Sequence, residues 1–344
     1  MSLVNVGIAG LGRFGSLHAS ILSKLPGVTI AAICDPDQNA RDSASDRYGG
    51  AATYGSFSDL LDHDGLDCVY VVTPEDTHEE MVGRALSLGL PTFLEKPLAL
   101  SARRGREIVD QSKKAGVYLQ VGFVLRFESR SMFLRDQISR GEFGRIATVR
   151  AKRNCSKAWF DVYGDRAHAV YETIIHDIDY LIWIAGSQCT SVYALERNFT
   201  GKRFPDATMA LLQFDNGIAA SLETSWLVQD GAPANVVTDT WAGTIDAELE
   251  VVGEYRSARL RSLESGLEIW TGERSFHPDF GLWPELHGSI GGALRAEDED
   301  FISAVRTGVA SSIASVEDAV HGLSVAEAIT RSASTGGEVV VERF

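Results

Sequence analysis

A glycine-rich loop near the start of the chain constrains the fold more than any other feature. It lies directly after a predicted strand, residues 4–9, and directly before a predicted helix, residues 14–25. Its spacing, G-x-G-x-x-G, permits a tight turn, a close approach of the backbone to a pyrophosphate, and close packing of the helix on the strand. The helix N-terminus would face that anion. The loop consists of Gly10, Leu11, Gly12, Arg13, Phe14 and Gly15.

A carboxylate follows the second predicted strand. Asp35 comes about 20 residues after Gly15, where an acidic side chain can bind the 2′-hydroxyl of a ribose. A 2′-phosphate would meet its negative charge, and no arginine or serine follows immediately after the strand. We therefore predict NAD, rather than NADP, as the cofactor. The alternative is a glycine turn with a surface aspartate and no ligand.

Short apolar segments alternate with amphipathic ones in the first part of the chain. Strands separated by helices of this length imply parallel pairing with right-handed crossovers. The pattern therefore predicts an α/β domain, residues 1–122, with a doubly wound parallel sheet. The predicted strands are residues 4–9, 28–34, 68–72, 92–94 and 118–121, and the predicted helices are residues 14–25, 38–48, 78–88 and 102–115.

The pattern changes after residue 123. A helix at 130–139, a strand at 146–152 and an apolar helix at 171–185 are followed by strands without intervening helices. This succession predicts an open, mostly antiparallel and sequentially connected sheet in an α+β domain, residues 123–344. The later predicted strands are residues 191–196, 208–214, 219–224, 245–252, 258–261, 267–270 and 339–341, and the later helices are residues 295–306 and 316–332.

Length and composition limit the possible partners. A chain of 344 residues that is 44% hydrophobic suffices for two packed domains. The formal net charge of −15, without a run of basic residues, argues against nucleic acid and anionic membranes. No signal-peptide pattern opens the chain, and no apolar run approaches the roughly 18 residues of a membrane span. We expect a cytoplasmic protein.

The cysteines do not form a metal site. Cys34, Cys68, Cys155 and Cys189 lie far apart, without a C-x-x-C pair or a Cys/His group at zinc spacing. We expect reduced thiols and no metal.

Polar residues follow two further strands of the predicted parallel sheet. Thr73-Pro74 and Glu95-Lys96-Pro97 stand at the carboxyl ends of these strands, where ligands bind in this architecture. Desolvation at the end of a buried strand would disfavour the charged form of Lys96 and favour its use as a proton acceptor. The alternative is a structural ion pair of Lys96 with Glu95 or another acid.

These motifs occur together at a characteristic spacing. The Glu-Lys-Pro segment begins about 80 residues after the glycine loop, and the segment His-Asp-Ile-Asp, residues 176–179, follows about 80 residues later. In this combination the chain resembles the glucose-fructose oxidoreductase and inositol 2-dehydrogenase (Gfo/Idh/MocA) family of NAD(P)-dependent oxidoreductases over nearly its whole length. The motifs that carry the resemblance are the glycine loop, Asp35, Thr73-Pro74 with His78, Glu95-Lys96-Pro97-Leu98 and residues 176–179.

The resemblance implies an activity and a set of site residues. It implies hydride transfer, in a cleft between the domains, between NAD and a secondary alcohol or ketone of a sugar, cyclitol or related polyol. Lys96 would lie close to the nicotinamide and the substrate hydroxyl, with His176 as the second catalytic residue. The exposed sheet face commonly mediates oligomer contacts in this family, so we expect a homo-oligomer, a dimer or a tetramer. The other cofactor contacts that we assign are Thr73, Pro74, His78 and Glu95.

The predicted helix at 171–185 carries the second group of candidates. Glu172, His176 and Asp179 would project from nearly one face and line the cleft with polar groups, with Glu172 as a third catalytic and substrate-binding residue. For Asp179 we favour a structural role, and Asp177 should be solvated. The family usually has an aspartate four residues before the histidine, so the glutamate here leaves the substrate open.

Several further residues could contact the substrate. Arg126 and Trp159 follow the domain junction and would contact substrate, although each is also a plausible packing residue. The low number of basic residues disfavours a highly phosphorylated substrate, unless Arg126 or Arg153 binds the phosphate. The aromatic segment 276–284 would serve as a substrate-side loop or as an oligomer contact.

The mechanism that we predict has two rivals. In it, the substrate's carbon-bound hydrogen leaves as hydride while the hydroxyl proton passes to Lys96 or His176. One rival is a redox enzyme that retains its NAD and cleaves glycosides. The other is a nucleotide-sensing protein without turnover, which would need the glycine loop and Asp35 but neither Lys96 nor His176.

Overall fold

The computed structural model describes residues 3–238, 241–264, 266–272 and 275–343. The chain forms two compact units. Unit 1 consists of Met1–Glu128 and Leu282–Val320, and unit 2 consists of Ser129–Gly281 and His321–Phe344. Residues 282–320, which the sequence analysis assigns to the second domain, therefore belong to the first unit. No described helix combines the length and the apolar character that crossing a membrane requires.

The helices are labelled in chain order. They are α1 (Arg13–Leu22), α2 (Gln38–Arg47), α3 (Phe57–Leu61), α4 (His78–Ser87), α5 (Ala102–Ala115), α6 (Ser129–Ser139), α7 (Lys157–Tyr163), α8 (Ile175–Ala185), α9 (Gly292–Thr307) and α10 (Val316–Thr335). A short 3₁₀ helix covers Val124–Phe127, and a π-helical turn covers Val170–Ile174.

The strands are labelled in the same way. The first fourteen are β1 (Val4–Ala9), β2 (Val28–Cys34), β3 (Ala52–Tyr54), β4 (Cys68–Val71), β5 (Thr92–Glu95), β6 (Leu119–Gly122), β7 (Ile146–Ser156), β8 (Cys189–Arg197), β9 (Ala207–Phe214), β10 (Ala219–Val228), β11 (Val236–Thr238), β12 (Trp241–Gly243), β13 (Ile245–Gly253) and β14 (Ser257–Arg261). The remaining strands are short: β15 (Ile269–Trp270), β16 (Ser275–Phe276), β17 (Glu285–Leu286), β18 (Ser289–Ile290) and β19 (Val339–Val340).

The described part of unit 1 is built on a six-stranded sheet in the order β3-β2-β1-β4-β5-β6. Its neighbouring strands pair in parallel, so the predicted doubly wound sheet is confirmed. Every residue of β4 and β5 is buried, as expected for a sheet covered by helices on both faces. Strand β3 and helix α3 are not predicted from the sequence, because segments of three and five residues are too short to show a period.

The segment 282–320 completes the core of unit 1. From α9, Leu294, Phe301 and Ile302 join the cluster of buried residues that includes Ile8 of β1 and Phe93 of β5. Because these side chains are as deeply buried as the strands they cover, the segment is an integral part of this unit. Leu282 and Trp283 also pack against the cluster. The second half of the predicted aromatic segment therefore packs within unit 1.

Unit 2 contains an open sheet in the order β14-β13-β7-β10-β9-β8-β19. In β9, buried and exposed residues alternate, which is typical of a sheet with one face packed and one face open. The mostly antiparallel sheet is confirmed. The sequential connection is not, since β7 lies between β13 and β10 and pairs in parallel with β10. Strand periodicity indicates which face is buried and carries no information about which strand is the neighbour.

The predicted helix at 171–185 begins differently from the sequence expectation. Its first part is the π-helical turn Val170–Ile174, which leads directly into α8. A π-helical turn contains an additional residue, so the regular helical spacing used to place Glu172 and His176 on one face does not apply here. The predicted end is confirmed, because Gly186 caps α8 in the left-handed conformation with a φ of 57°.

Candidate active site

The glycine loop has the local geometry that a dinucleotide fingerprint requires. Gly10 has a φ of 92°, and a Cβ atom there would lie 2.2 Å from the carbonyl oxygen of Val72. A Cβ atom at Gly15 would lie 2.0 Å from the carbonyl oxygen of Gly10. At Gly12, by contrast, a Cβ atom would have no neighbour within 4 Å. The first and third glycines are therefore required by the fold, whereas the second faces open space, as a pyrophosphate site requires.

Asp35 is held beside this loop. One carboxylate oxygen, Oδ2, accepts a hydrogen bond of 2.8 Å from the backbone nitrogen of Leu11, and the other accepts one of 2.9 Å from Asp37. Gly10 in turn donates a backbone hydrogen bond of 2.8 Å to Cys34. These bonds tie the end of β2 to the glycine loop. The residues present therefore fit a nucleotide whose ribose hydroxyls face Asp35.

Arg41, beside this site, is not predicted from the sequence, and Trp283 lies in the predicted aromatic segment 276–284. Arg41 of α2 donates from its guanidinium to the backbone carbonyl of Asp35. Arg41 stands six residues after Asp35, whereas the prediction of NAD depends only on the residues immediately after the strand. Trp283 meets the ring of Phe14 edge-on, with centroids 5.5 Å apart, and the Arg13 guanidinium lies 4.8 Å from the Phe14 centroid. The predicted loop residues Arg13 and Phe14 thus form a small aromatic cluster at the start of α1.

His78 connects two predicted site loops. Its Nδ1 lies 2.8 Å from the carbonyl oxygen of Pro97, and its Nε2 lies 2.9 Å from the carbonyl oxygen of Thr73. The ring is 1% exposed, and burial lowers the pKa of its imidazole although both carbonyls act to raise it. Pro74, next to Thr73, is exposed. In unit 1, His78 therefore links the Thr73-Pro74 segment to the Lys96-Pro97 segment through its two ring nitrogens.

Lys96 stands at the carboxyl end of β5, in the same sheet as the glycine loop. Lys96 is half-buried, and the peptide bond between Lys96 and Pro97 is cis. Its backbone nitrogen donates a hydrogen bond of 3.1 Å to Oε2 of Glu95. Glu95 is buried, and its other oxygen lies 3.2 Å from Nε2 of His18. Glu95 therefore supports the backbone at Lys96 from within the core.

In unit 2, the π-helical turn and α8 present the second group of candidates. Glu172 and His176 are half-buried, whereas the residues between them, 173–175, are all buried. Asp179 is fully buried, which agrees with a structural role. π-Helical turns are rare in proteins and are frequent at functional sites. The structure therefore leaves Glu172 and His176 partly accessible on an otherwise buried segment.

The prediction that Asp177 is solvated is wrong. It is buried, and its two oxygens receive hydrogen bonds of 2.7 and 3.0 Å from Nε and Nη2 of Arg153. Burial acts to lower the pKa of Arg153, but Asp177 raises it overall, so the guanidinium keeps its charge. A carboxylate buried in this way needs a bidentate partner, which is what Arg153 of β7 supplies.

Arg126 and Trp159 have the contacts of packing residues. Arg126 is 1% exposed, and its guanidinium donates to Asp318 at 2.9 Å and to the carbonyl of Ile313 at 2.9 Å. Trp159 is buried in a small aromatic cluster of unit 2, and its Nε1 donates to the carbonyl of Ala242 at 3.3 Å. The packing alternative therefore accounts for the contacts of both residues.

Comparison with known proteins identifies the family. The profile of an oxidoreductase family with an NAD-binding Rossmann fold (Gfo/Idh/MocA) matches residues 4–123, and the profile of the family's C-terminal alpha/beta domain matches residues 135–341. The chain belongs to this family. The NAD-binding fold of unit 1 and the oxidoreductase family predicted from the motifs are thereby confirmed.

Family members with similar sequences and structures include proteins that act on inositols. The chain is 27% identical to the rhizopine catabolism protein MocA of Rhizobium meliloti, covering 96% of this chain and 95% of that protein. It is 26% identical to a scyllo-inositol 2-dehydrogenase (NAD(+)) of Bacillus subtilis, with 98% and 96% covered. The fold matches that of a scyllo-inositol dehydrogenase of Lactobacillus casei, solved with NAD(H) and scyllo-inositol, with a TM-score of 0.83 at 21% identity and 99% of each chain covered.

Proposed function

We propose that this protein is an NAD-dependent oxidoreductase that transfers a hydride between the nicotinamide and a secondary alcohol or ketone of a sugar, cyclitol or related polyol. The observation that carries the proposal is the position of Lys96. A half-buried lysine stands at the carboxyl end of β5, in the sheet whose β1 and β2 end at the glycine loop and at Asp35. Ligands bind at these strand ends in this architecture.

The cofactor site consists of residues in unit 1. Gly12 gives the pyrophosphate access to the start of α1, and the carboxylate of Asp35 accepts hydrogen bonds from the ribose hydroxyls. Bound NAD supplies the hydride acceptor for alcohol oxidation and, when reduced, the hydride donor for ketone reduction. The other residues of this proposed site are Gly10, Arg13, Phe14, Gly15, Thr73, Pro74, His78 and Glu95, of which His78 and Glu95 act by holding the loops that carry the contacts.

Side chains of the protein accept and return the substrate's hydroxyl proton. Lys96 or His176 accepts the hydroxyl proton as the carbon-bound hydrogen leaves, and returns it in the reverse direction. The half-buried positions of both side chains support this assignment. Glu172, also half-buried, orients the imidazole or binds a neighbouring hydroxyl. A residue that transfers the proton must be able both to accept a proton and to reach the substrate, and Lys96 and His176 meet both requirements in this proposal.

The substrate that we propose is uncharged or carries few charges. Arg126 and Arg153 are the two arginines predicted as possible phosphate ligands. Each is already paired with a carboxylate, Arg126 with Asp318 and Arg153 with Asp177. A phosphate would have to displace a buried ion pair in either case. The similarity to proteins named as inositol dehydrogenases supports a polyhydroxylated ring as substrate.

The test is a spectrophotometric assay of NAD⁺ and NADP⁺ reduction by the purified protein, with a panel of cyclitols, aldoses, uronic acids and deoxysugars. We expect turnover with NAD⁺ on at least one substrate, and none in Lys96→Met, which should still bind NADH. Lys114→Met, at an exposed position on α5, is the matched control and should keep full activity. Absence of turnover across the panel, with intact NADH binding, would contradict the proposal and favour a retained cofactor or a sensor.

We also propose that the open face of the unit 2 sheet binds a second copy of the chain, giving a dimer or a tetramer that works in the cytoplasm. Tyr193 and Leu195 of β8 lie directly opposite Leu211 and Met209 of β9, and all four side chains are exposed. Such a continuous apolar patch is typical of an interaction surface. Light scattering should show that Met209→Glu with Leu211→Glu dissociates the oligomer, whereas Gln213→Glu, exposed on the same strand, does not. An unchanged mass in the double variant would exclude this face.

A further inference from the structure

A buried histidine lies between two carboxylates in the core of unit 1. His18 of α1 is fully buried, with Nδ1 2.8 Å from Oδ1 of Asp298 and Nε2 3.2 Å from Oε1 of Glu95. Ionised carboxylates only accept hydrogen bonds, so this geometry requires a hydrogen on both ring nitrogens. Burial acts to lower the pKa of His18, but Asp298 and Glu95 raise it to about 10. The ring is therefore an imidazolium that joins the two acids.

The chain of contacts continues from Glu95 to Lys96. The oxygen of Glu95 that does not face His18, Oε2, accepts the hydrogen bond from the backbone nitrogen of Lys96. Asp298, at the other end, lies on α9 of the returning segment and is fully buried. The order of contacts is thus Asp298, His18, Glu95 and the backbone of Lys96. His18 and Glu95, in the middle of this order, each have a neighbour on both sides that limits their movement.

The surroundings leave Glu95 little freedom. A Cβ atom at Gly122 of β6 would lie 3.0 Å from Oε1 of Glu95, so a larger residue there would displace the carboxylate. The ring of Phe93 lies 5.1 Å from that of His18, and the ring of Tyr70 lies 5.6 Å from it. Glu297, next to Asp298, is also fully buried, and burial holds its pKa well above the usual range. Burial raises the pKa of Asp298 as well, although its contact with His18 acts to lower it.

Stability alone does not explain such an arrangement. A buried set of ionised groups contributes little to stability compared with well-packed apolar side chains, because the charges lose their hydration. Its attested use is to specify one arrangement out of several. The group whose arrangement is specified here is the backbone at Lys96. An error of about 1 Å in the position of a catalytic group can reduce turnover about 100-fold.

We propose that His18 is a positioning residue, which holds Lys96 in its reactive position through Glu95, with Asp298 as its anchor. The inference rests on the proposed function in one respect, namely that Lys96 acts on the substrate. His18 itself, fully buried, touches neither substrate nor cofactor. It acts on the reaction through the carboxylate of Glu95.

The test compares His18→Gln with a matched control, Phe301→Leu, in the full-length protein. Glutamine is neutral, so it cannot replace a positively charged ring that donates hydrogen bonds to both carboxylates. Phe301 packs in the same core against Tyr70 and Phe93 and makes no hydrogen bond to the acids, so its truncation measures the effect of loosening the core. The measurements are kcat, KM, the Kd of NADH, and the rate of acetylation of Lys96 by acetic anhydride. Lys113 and Lys152 serve as internal standards for acetylation.

We expect His18→Gln to lower kcat about 10- to 100-fold, with KM and the Kd of NADH within about twofold of the native values. The acetylation rate of Lys96, relative to the standards, should change severalfold in this variant and remain native in Phe301→Leu. If His18→Gln does not fold, Asp298→Asn tests the inference instead. This substitution changes only the contact farthest from Lys96, so it should reproduce the changes in kcat and in Lys96 labelling to a smaller extent.

Two results would overturn the inference. One is a His18→Gln protein, or an Asp298→Asn protein, with native kcat and native labelling of Lys96. The other is a loss of activity that Phe301→Leu reproduces in full, which would assign His18 to the core alone. The labelling also separates this inference from the proposed function. A change of Lys96 labelling in a protein without turnover on any substrate supports the positioning role and refutes the oxidoreductase.

Discussion

The carboxylate of Asp35 accepts a hydrogen bond of 2.8 Å from the backbone nitrogen of Leu11. The residue that is expected to recognise the ribose is therefore also a structural support of the glycine loop. A carboxylate has about four acceptor positions, so the bonds from Leu11 and Asp37 leave positions for two hydroxyl groups. Cofactor selectivity and loop geometry should consequently change together when Asp35 is replaced.

Replacement of Asp35 by serine should shift the cofactor preference toward NADP. The substitution removes the charge that repels a 2′-phosphate and leaves Arg41, which contacts the backbone of Asp35, as the nearest new partner. Hydrogen bonds to charged groups contribute about 1.5–3 kcal/mol, so the ratio of kcat/KM for NAD to that for NADP should fall about 10- to 100-fold. Steady-state kinetics with both cofactors would measure the ratio. Adding Arg41→Gln should remove the gain with NADP, and an unchanged ratio in Asp35→Ser would refute the assignment.

The glycines of the loop should respond differently to alanine. Gly12→Ala has space for its methyl group and an ordinary φ of −60°, so the protein should fold with native stability and lose NADH affinity. Gly10→Ala combines a φ of 92° with a clash against Val72, so it should lose more than about 1 kcal/mol of unfolding free energy. Urea unfolding and fluorescence titration with NADH would separate the two effects. Tight NADH binding by Gly12→Ala would show that the pyrophosphate does not approach this residue.

His176 and Glu172 should affect different kinetic constants. His176→Asn removes an imidazole that is proposed to accept the hydroxyl proton, so kcat should fall about 100-fold or more. Glu172→Asp keeps the charge and shortens the side chain by one methylene, so it should change KM and the order of preference among polyols with a smaller effect on kcat. Substrate profiling of both variants by initial rates would test this. Equal effects on KM and kcat in both variants would indicate that the π-helical turn itself has been disturbed.

The stability of unit 1 should decrease with pH in the alkaline range. The pKa of His18 is raised from 6.5 to about 10 in the folded protein, so its protonated form stabilises the fold. This contribution is fully present below pH 6.5 and is lost as the pH rises through about 10. The unfolding free energy should therefore fall by up to about 1.4 kcal/mol per pH unit in this window.

Urea unfolding curves of the native protein and of His18→Gln, from about pH 7 to about pH 9.5, would test this linkage. The difference in stability between the two proteins should shrink as the pH rises. A constant difference over this range would mean that His18 does not carry the proton.

Local sequence patterns predicted the strand ends of unit 1 that carry the proposed site. The glycine loop, Asp35 and Lys96 all stand at strand ends, and a strand end can be read from hydrophobic periodicity and from the residues that interrupt it. The end of α8 at Gly186 follows from the same kind of local signal. These features depend on residues that are close in the chain.

The features that escaped prediction depend on distant residues. No local pattern indicates the role of His18, because its partner Asp298 is 280 residues away. Asp177 was expected in solvent, since nothing near it in sequence indicates Arg153. The return of residues 282–320 to unit 1 and the insertion of β7 beside β10 are likewise matters of tertiary packing. The π-helical turn was missed because its residues have the composition of an ordinary apolar helix.

The separation of 280 positions between His18 and Asp298 also has a consequence during synthesis. At roughly 5 to 20 residues per second, a ribosome needs roughly 15 to 60 seconds to reach Asp298 after His18 has been made. For that time the nascent first sheet lacks α9 and one of the two carboxylates that flank its histidine. The nucleotide-binding half is therefore the first part of this protein to be translated and among the last to be finished.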